Sequence, residues 1–269
     1  MSWHPQRYLA YEGERLRPAL DLLARVPIEA PRTVVDLGCG AGNVTRVLAE
    51  RWPGAAIVGV DSSEAMLAKA RAATAEFADV RYETADIDAW TPPAPVDLVY
   101  SNAALHWLPD HATLMPRLLR LVRPGGVLAV QMPGNFDAPS HRAVEEVARS
   151  RRWNDRLGDL VREPPVAAPE RYLRWLEPLC AGVDVWETIY LQRLAARDDG
   201  EHPVVAFASG TWLHPFLERL ADDAPARTGF LAEYRGRIEA AYPREPLGGA
   251  IFPFRRLFFV ATRSVAAVR

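Results

Sequence analysis

Short apolar runs alternate with amphipathic segments along the first half of the chain, and this alternation predicts an α/β fold. Each apolar run is short enough, and rich enough in branched residues, to predict a buried strand. The predicted strands span 33–37, 56–60, 80–84, 96–100 and 127–132. Apolar residues recur at helical spacing in the segments between them, notably 43–52, 63–77 and 112–122. Strands that alternate with helices are typical of a parallel sheet with helices on both faces.

The second half of the chain has a different pattern, with two further strands among helical segments. Residues 183–191 alternate apolar and polar side chains, and a last apolar run covers 257–262. We therefore predict one domain over 1–269 with a seven-stranded, mostly parallel sheet. Its predicted parts are an N-terminal lid segment (1–30), a ligand-binding core (31–133), helical cap insertions (134–182 and 192–255) and a C-terminal antiparallel hairpin (183–191 and 256–263).

The N-terminal residues carry an unusual number of aromatic side chains, among them Trp3, Tyr8 and Tyr11. Residues 15–26 then predict an amphipathic helix. Because chain termini usually fray, we expect an aromatic terminus to dock on something. Two alternatives follow: the segment packs against the core, or it forms a lid over a bound ligand.

A glycine-rich turn separates the first strand from the first core helix. Gly38, Gly40 and Gly42 stand at alternate positions and Asn43 follows them. A strand, a glycine turn and a helix bring backbone N–H groups up to a ligand, and glycine leaves no Cβ in the way. The spacing does not fit a dinucleotide fingerprint, whose third glycine comes three positions after the second. A turn that binds nothing is the alternative.

Two acidic residues flank this turn in the predicted sheet. Asp36 lies just before the first glycine, where we expect it at the mouth of the site, and Asp61 ends the second strand. A carboxylate at the first position suits an ammonium group, and one at the second is placed to accept ribose hydroxyls. With no phosphate cradle, these features predict an aminoacyl-type nucleoside. S-adenosylmethionine fits that description.

Residues at the carboxyl ends of the third and fourth strands extend the predicted site. Asp86 and Ile87 are placed to bind an adenine amino group and to cover its ring, although Asp86 as a plain loop acid is the alternative. Asn102, His106 and Trp107 reach the same edge, where ligands bind in open α/β sheets. Ser62 is expected to cap the next helix, with Met66 facing inward. The complete predicted cofactor set is Asp36, Gly38, Gly40, Gly42, Asn43, Asp61, Ser62, Met66, Asp86, Ile87 and Asn102.

Composition and charge exclude several classes of function. With 32 basic and 34 acidic residues, the net charge of −2 disfavours a nucleic-acid partner. The chain has no apolar run near 18 residues, which predicts a cytoplasmic protein without a membrane span. Lys69 is the only lysine; composition bias explains this simply, yet arginine also binds carboxylates bidentately. We expect a monomer.

The sequence predicts no metal centre. Cys39 and Cys180 match no metal or redox spacing and suit a reducing compartment. His106 and His111 are five residues apart and have no nearby third ligand. His111 is better explained as a residue at the start of a helix, beside Asp110.

The cofactor features resemble the class I S-adenosylmethionine-dependent methyltransferases, through Asp-Leu-Gly-Cys-Gly-Ala-Gly at 36–42, Asp61, Asp86 and the Pro-Gly-Gly turn at 124–126. More narrowly, the chain resembles the trans-aconitate 2-methyltransferase family from end to end. The segments that carry this narrower resemblance are 3–9, 61–66, 101–111, 129–136, 183–190 and 252–258.

The family resemblance implies transfer of a methyl group to one carboxylate of trans-aconitate, giving a monomethyl ester and S-adenosylhomocysteine. A carboxylate is already ionised at pH 7, so no general base is required and catalysis can rest on positioning. His106 and Tyr8 are the candidates for that positioning. The other carboxylates of a tricarboxylate need cationic and polar partners, of which Arg256 is the first candidate. The predicted substrate-binding residues are Tyr8, His106, Trp107, Trp186, Trp212, Arg255 and Arg256.

Two other functions stay open at this point. The same fold could methylate another small acid or a secondary metabolite. A non-catalytic partner subunit that binds the cofactor is the second alternative, which the intact Asp36, Gly38, Gly40 and Asp61 set disfavours. A nucleic-acid methyltransferase is disfavoured further because Asn102 begins Asn-Ala-Ala-Leu rather than the Asn-Pro-Pro-aromatic pattern of adenine-N6 enzymes.

Overall fold

A seven-stranded sheet is the central element of the computed structural model, which describes residues 13–265. Its strands are β1 (Thr33–Leu37), β2 (Ala56–Asp61), β3 (Val80–Thr84), β4 (Val96–Asn102), β5 (Val122–Pro133), β6 (Cys180–Leu194) and β7 (Ala250–Arg263). The strand order is β3-β2-β1-β4-β5-β7-β6. The first five strands pair in parallel, and β7 pairs antiparallel with β5. The predicted Rossmann-like, mostly parallel sheet is confirmed.

Ten α-helices accompany the sheet in the described part of the chain. They are α1 (Gly13–Leu23), α2 (Asn43–Arg51), α3 (Glu64–Ala73), α4 (His111–Leu121), α5 (Pro139–Ala148), α6 (Asn154–Leu157), α7 (Pro169–Leu176), α8 (Pro203–Ser209), α9 (His214–Arg219) and α10 (Ala224–Ala241). None of the helices within residues 13–265 is long and apolar enough to cross a membrane. The aromatic N-terminal segment, with Tyr8, lies outside the described residues.

The described chain divides into two compact units. The first unit holds the residues up to 133, then 165–188, and the residues from 256 onward. The second unit holds 134–164 and 189–255. The prediction of a single catalytic domain with a helical cap is untested by this division and stays a prediction.

One core cluster of the first unit lies on the face of the sheet that α4 and α7 cover. Leu128, Val130 and Met132 of β5 alternate toward this face together with Leu257 and Phe259 of β7, and all of them are buried. Tyr172 of α7 stacks on the Phe259 ring, 5.7 Å between centroids. Helix α7 thus belongs to the first unit, although the sequence placed 165–182 in the cap.

The second unit is a helical cluster around aromatic side chains. Phe230, Tyr234 and Ile238 of α10 are fully buried against residues of α5, α6, α8 and α9. His202 caps α8, because its Nδ1 accepts a hydrogen bond from the Val204 N–H at 3.2 Å. Its Nε2 therefore donates to the Tyr242 carbonyl, at 2.9 Å. The helical character predicted for these segments is confirmed.

Helix α3 begins one residue later than the sequence suggested. Ser63, not Ser62, is its N-cap, and the Ser63 hydroxyl accepts from the Met66 N–H at 3.4 Å. The helix ends at Ala73, where Thr74 binds the Ala70 carbonyl through both its N–H and its hydroxyl. The prediction of a cap at Ser62 was wrong, because the hydroxyl that caps the helix is that of Ser63. Met66 is 42% exposed, so the prediction that it faces inward was wrong as well.

Candidate functional site

The glycine turn is held against the end of β2 by backbone hydrogen bonds. The N–H groups of Gly38 and Cys39 both donate to the Val60 carbonyl, at 2.8 and 3.0 Å. The Gly40 N–H donates to Asp61 Oδ2 at 2.9 Å. The turn and Asp61 are therefore one assembly, as the spacing of the two motifs predicted.

The glycines of this turn serve different purposes. A Cβ on Gly38 would lie 2.1 Å from the Ala104 side chain, and φ is +80° there, so only glycine fits. Gly42 leaves room for Ala70 of α3, whose side chain would be 2.8 Å from an added Cβ. Gly40 has φ +53°, and a Cβ there would meet nothing within 4 Å in the described part of the chain. The open side of the turn, where a ligand can approach the backbone, is therefore at Gly40.

The sequence predicted Asp36 at the mouth of the site, but the structure buries this residue. It is 1% exposed, on β1, and its Oδ2 accepts a hydrogen bond from the Thr45 hydroxyl at 2.6 Å. Burial raises the pKa of Asp36 to about 7, the Thr45 hydrogen bond opposes that rise, and the negative charge of Asp61 adds to it. Thr45 ties this buried carboxyl group to α2, and its role toward an ammonium group stays a prediction.

This raised pKa predicts a pH-dependent loss of stability. Below the ordinary pKa of 3.8 both folded and unfolded states bind the proton. As the pH rises toward 7 the unfolded state loses the proton first, so the free energy of unfolding falls. Because about three pKa units separate the two states, Asp36→Asn should remove a decline of up to about 4 kcal/mol between pH 4 and 7 in the ligand-free protein.

Chemical denaturation at several pH values gives the free energy of unfolding of the wild type and of Asp36→Asn. Asp97 is the matched control, because its carboxyl is held by Arg123 and by the backbone N–H groups of Arg32 and Thr33, and its pKa is lowered to about 2. The stability that the Asp97 carboxylate contributes is lost only as the pH falls below about 4. Asp97→Asn should therefore leave unchanged the slope of the free energy of unfolding against pH between pH 4 and 7. Equal slopes for wild type and Asp36→Asn would contradict the raised pKa.

Asp61 bridges the turn and the start of α3. Its Oδ2 accepts from Gly40 and its Oδ1 accepts from the Ser63 N–H, also at 2.9 Å. Each carboxylate oxygen can accept more than one hydrogen bond, so both retain capacity for ribose hydroxyls. The structure brings this carboxylate to the open side of the turn, which suits the predicted role.

The other predicted cofactor residues frame the same region. Ile87 is half-buried, and its Cδ1 lies 3.2 Å from the position that a Cβ on Gly38 would take. Met66 and Asn43 are exposed at the starts of α3 and α2, and Ser62 is exposed between β2 and α3. Asp86 is exposed and accepts a hydrogen bond from the Asp88 N–H, 3.0 Å away. An aromatic base over Ile87 is compatible with these positions.

Two buried polar atoms close to the end of β4 have no hydrogen-bond partner within residues 13–265. They are Asn102 Oδ1, in the last residue of β4, and His106 Nδ1, in the short 3₁₀ turn that follows. Burial, the positive charge of Arg256 and the nearby His111 together lower the pKa of His106 to about 4. His106 is therefore neutral at pH 7 in the ligand-free protein. The Trp107 ring beside it is 80% exposed.

Gln131 is a buried polar residue that the sequence analysis did not select. It lies on β5, is 1% exposed, and neither atom of its side-chain amide has a hydrogen-bond partner in the described chain. The sequence did contain a signal for this residue, because Gln131 is the one polar side chain in the predicted strand from Val127 to Met132. Within the first unit, the structure therefore groups Asn102, Gln131, His106 and Arg256 near the carboxyl ends of β4 and β5.

The two adjacent arginines of β7 have different surroundings. Arg256 is half-buried in the first unit, pairs in register with Pro133, and lies close enough to His106 for its charge to act there. Arg255 belongs to the second unit, where its guanidinium binds Asp137 at 2.5 Å and its N–H donates to the Asn135 side chain. Strand alternation sends the two side chains to opposite faces. The structure therefore favours Arg256 over Arg255 as a substrate-binding cation.

Two predicted substrate-binding tryptophans have packing roles. Trp186 lies on the edge strand β6, stacks on Phe258 at 5.0 Å, and has the Arg25 guanidinium 4.2 Å from its ring centroid. Trp212 belongs to the second unit, where it stacks on His141 at 4.2 Å and its Nε1 donates to the Tyr234 hydroxyl. The substrate roles of these two residues stay predictions.

Residues 13–265 contain no group of three or more side chains that could hold a metal ion. His111 is a packing residue at the start of α4: its Nδ1 lies 2.6 Å from the Tyr172 hydroxyl and its Nε2 lies 3.0 Å from the Leu105 carbonyl. Asp110 caps this helix, and the prediction that His111 stands at a helix start is confirmed. Burial raises the pKa of the Cys39 and Cys180 thiols, which makes both unreactive.

The residues around the turn fit an aminoacyl nucleoside. Gly40 offers open space beside its backbone, Asp61 offers carboxylate oxygens, and Ile87 offers an apolar surface. The described turn presents no side-chain cation for a pyrophosphate. The chemistry of these donors therefore agrees with S-adenosylmethionine better than with a dinucleotide.

Comparison with known proteins shows the family to which the chain belongs. The sequence profile of a family described as a methyltransferase domain matches residues 34–126. The chain is 48% identical over 262 residues to the trans-aconitate 2-methyltransferase of Azoarcus sp. (strain BH72), covering 97% of this chain and 99% of that protein. It is 49% identical over 268 residues to the enzyme of the same name from Streptomyces avermitilis, covering 97% and 96%.

A solved structure supports the fold alone. The phosphoethanolamine N-methyltransferase 2 of Haemonchus contortus, in complex with phosphomonomethylethanolamine and S-adenosylhomocysteine, superposes with a TM-score of 0.54 at 19% identity. The superposition covers 97% of this chain and 57% of that one. The predicted class I methyltransferase fold is confirmed.

Proposed function

We propose, for a chain that belongs to the trans-aconitate 2-methyltransferase family, that it transfers a methyl group from S-adenosylmethionine to one carboxylate of trans-aconitate. The chain is an S-adenosylmethionine-dependent methyltransferase. The observation that carries the acceptor assignment is the cation Arg256 beside His106, which is half-buried and neutral in the ligand-free protein. This pairing suits an acceptor that arrives already ionised.

The cofactor, when bound, supplies a methyl group on a positively charged sulfur, which is an activated leaving group. Gly40, Asp61 and Ile87 are the residues we propose to hold it, through the open turn, the ribose hydroxyls and the base. Met66, exposed at the start of α3, is available to the same ligand.

The chain's own residues need only position the acceptor. A carboxylate oxygen is ionised at pH 7 and needs no proton removed. Arg256 neutralises a carboxylate and, through its planar fork, fixes its orientation. His106 is half-buried and neutral in the ligand-free protein, so it orients the acceptor by hydrogen bonding without taking a proton. Holding an acceptor at attack distance supplies a large part of the rate enhancement in such reactions.

The chemistry of the product tests this proposal. Incubation of the protein with S-adenosylmethionine and trans-aconitate should give a product heavier by one methyl group in place of a proton. Mild alkali should return the tricarboxylate, because esters are cleaved by alkali and ethers and N-methyl groups are not. A methylated product that survives alkali would contradict carboxyl methylation.

Several finer statements stay predictions. We infer a cytoplasmic, monomeric enzyme that has no nucleic-acid partner. The net charge of −2 and the absence of a membrane-spanning helix in residues 13–265 support this inference. Sedimentation of the purified protein gives its oligomeric state directly.

A further inference from the structure

Gln131 carries an amide group that is buried at a cost to the ligand-free protein. Its side chain is 1% exposed, and Oε1 and Nε2 both lack a hydrogen-bond partner within residues 13–265. A buried amide without partners loses its hydration and gains nothing in exchange. Such groups are uncommon in folded proteins, so each one needs an explanation.

The position of Gln131 in the sheet relates it to the proposed acceptor. Gln131 is in register with Asn102 on β4 and with Phe258 on β7, so the three side chains share one face of the sheet. Arg256 is two residues before Phe258 and lies on the same face. The diagonal separation from Gln131 is about 7–8 Å, which a long side chain spans.

The strand order places this amide on the acceptor side of the site. The glycine turn follows β1, and β4 lies between β1 and β5, so Gln131 is about 10 Å from the axis of β1. The strand that carries Arg256 is its immediate neighbour on the other side. A ligand bound by Arg256 is therefore within reach of Gln131, whereas one on the turn is farther away.

We propose that Gln131 is a specificity-determining residue whose Nε2 donates a hydrogen bond to a substrate carboxylate that is not methylated, next to Arg256. This inference rests on the proposed function. No group within residues 13–265 forms a hydrogen bond with either amide atom, so Nε2 is available to donate to a ligand. A neutral donor beside an arginine adds a directional contact for one carboxylate of a polycarboxylate.

Such a role predicts opposite effects on stability and on substrate affinity. Methionine has nearly the volume of glutamine and has no polar atoms to leave unpaired. Gln131→Met should therefore raise the Tm of the ligand-free protein by about 2–4 °C. The same change should raise the KM for trans-aconitate about tenfold to a hundredfold, the usual range for a lost hydrogen bond to a charged group.

A purely structural glutamine would behave in the reverse way, with a lower Tm and an unchanged KM. Calorimetric titration with S-adenosylmethionine should give an unchanged cofactor Kd in Gln131→Met, which separates acceptor binding from cofactor binding. Trp52→Phe is the control. Trp52 is 5% exposed after α2 and its Nε1 also lacks a partner in the described chain, so this change removes a buried polar atom away from the site. Its KM should stay within about twofold of the wild-type value.

Competition by three dicarboxylates identifies the carboxylate that Gln131 contacts. Glutaconate, mesaconate and itaconate each lack a different carboxylate of trans-aconitate. Gln131→Met should raise the inhibition constants of two of them about tenfold or more, and should leave that of the third unchanged. Equal effects on all three would overturn the contact.

The outcomes separate this inference from the function on which it rests. A wild-type protein that does not methylate trans-aconitate overturns the proposed function and this inference with it. A wild-type protein that does so, with an unchanged KM in Gln131→Met, overturns this inference alone. A variant that is destabilised or fails to fold, both as Gln131→Met and as Gln131→Leu, shows that the amide is structural and overturns it as well.

Discussion

Arg256→Ala is expected to raise the KM for trans-aconitate about 100-fold while the Kd for S-adenosylmethionine stays within about twofold. The change removes a fork of donors from a carboxylate at a site where the neighbouring imidazole is neutral and offers no replacement charge. Loss of one partner from a desolvated charged pair costs about 2–5 kcal/mol, and 1.4 kcal/mol corresponds to a factor of ten. Initial rates at saturating cofactor and calorimetric titration of the cofactor measure the two quantities separately.

The adjacent arginine provides the control for this prediction. Arg255 is bound to Asp137 in the second unit, on the opposite face of β7. Arg255→Ala should therefore change the KM far less than Arg256→Ala does. Equal effects of Arg256→Ala on trans-aconitate and on the cofactor would remove Arg256 from the acceptor site. A larger effect at Arg255 would reverse the assignment of the two residues.

Gly40→Ala should weaken S-adenosylmethionine binding about 100-fold without unfolding the protein. An added Cβ meets no described protein atom within 4 Å, so the methyl group occupies the space through which a ligand reaches the turn. Overpacking of a fitted site costs about 1–3 kcal/mol, and the φ of +53° adds strain for any residue with a side chain. Direct titration of the cofactor gives the affinity.

Gly54→Ala separates the effect of backbone strain from the loss of ligand space. Gly54 has φ +84° in the turn after α2, and a Cβ there also meets nothing within 4 Å among the described atoms. Both variants should lose about 1–2 kcal/mol of stability from the left-handed backbone, and only Gly40→Ala should lose cofactor affinity. Similar affinities in the two variants would place the cofactor elsewhere.

The sheet was predictable because its first five strands are short segments that are mostly apolar or, in β3, alternating, and each is followed by a turn or a helix. The hydrophobic pattern of a helix does not show which other element its apolar face packs against. Helix α7 has a clear apolar stripe, yet only the structure shows that Tyr172 packs on Phe259 in the first unit. The one-residue error at Ser62 has a similar origin, since either of two adjacent serines can cap a helix.

The site was predictable as a set of positions but not in its electrostatics. Spacing placed Asp36 and Asp61 at neighbouring strand ends, and β1 and β2 do pair in parallel. Spacing could not show that Thr45 covers Asp36 and removes it from solvent. The difference between Arg255 and Arg256 follows from strand alternation, whereas the unpartnered amide of Gln131 depends on atomic contacts that no pattern encodes.

The most direct test of the account is a competition between acceptors in one tube. Equal concentrations of trans-aconitate, cis-aconitate, citrate and isocitrate would be incubated with the wild-type protein and methyl-labelled S-adenosylmethionine, and the labelled products separated. We expect nearly all of the label in an alkali-labile ester of trans-aconitate. Label spread evenly over the four acids, or no transfer to any of them while the cofactor still binds, would contradict the assigned acceptor.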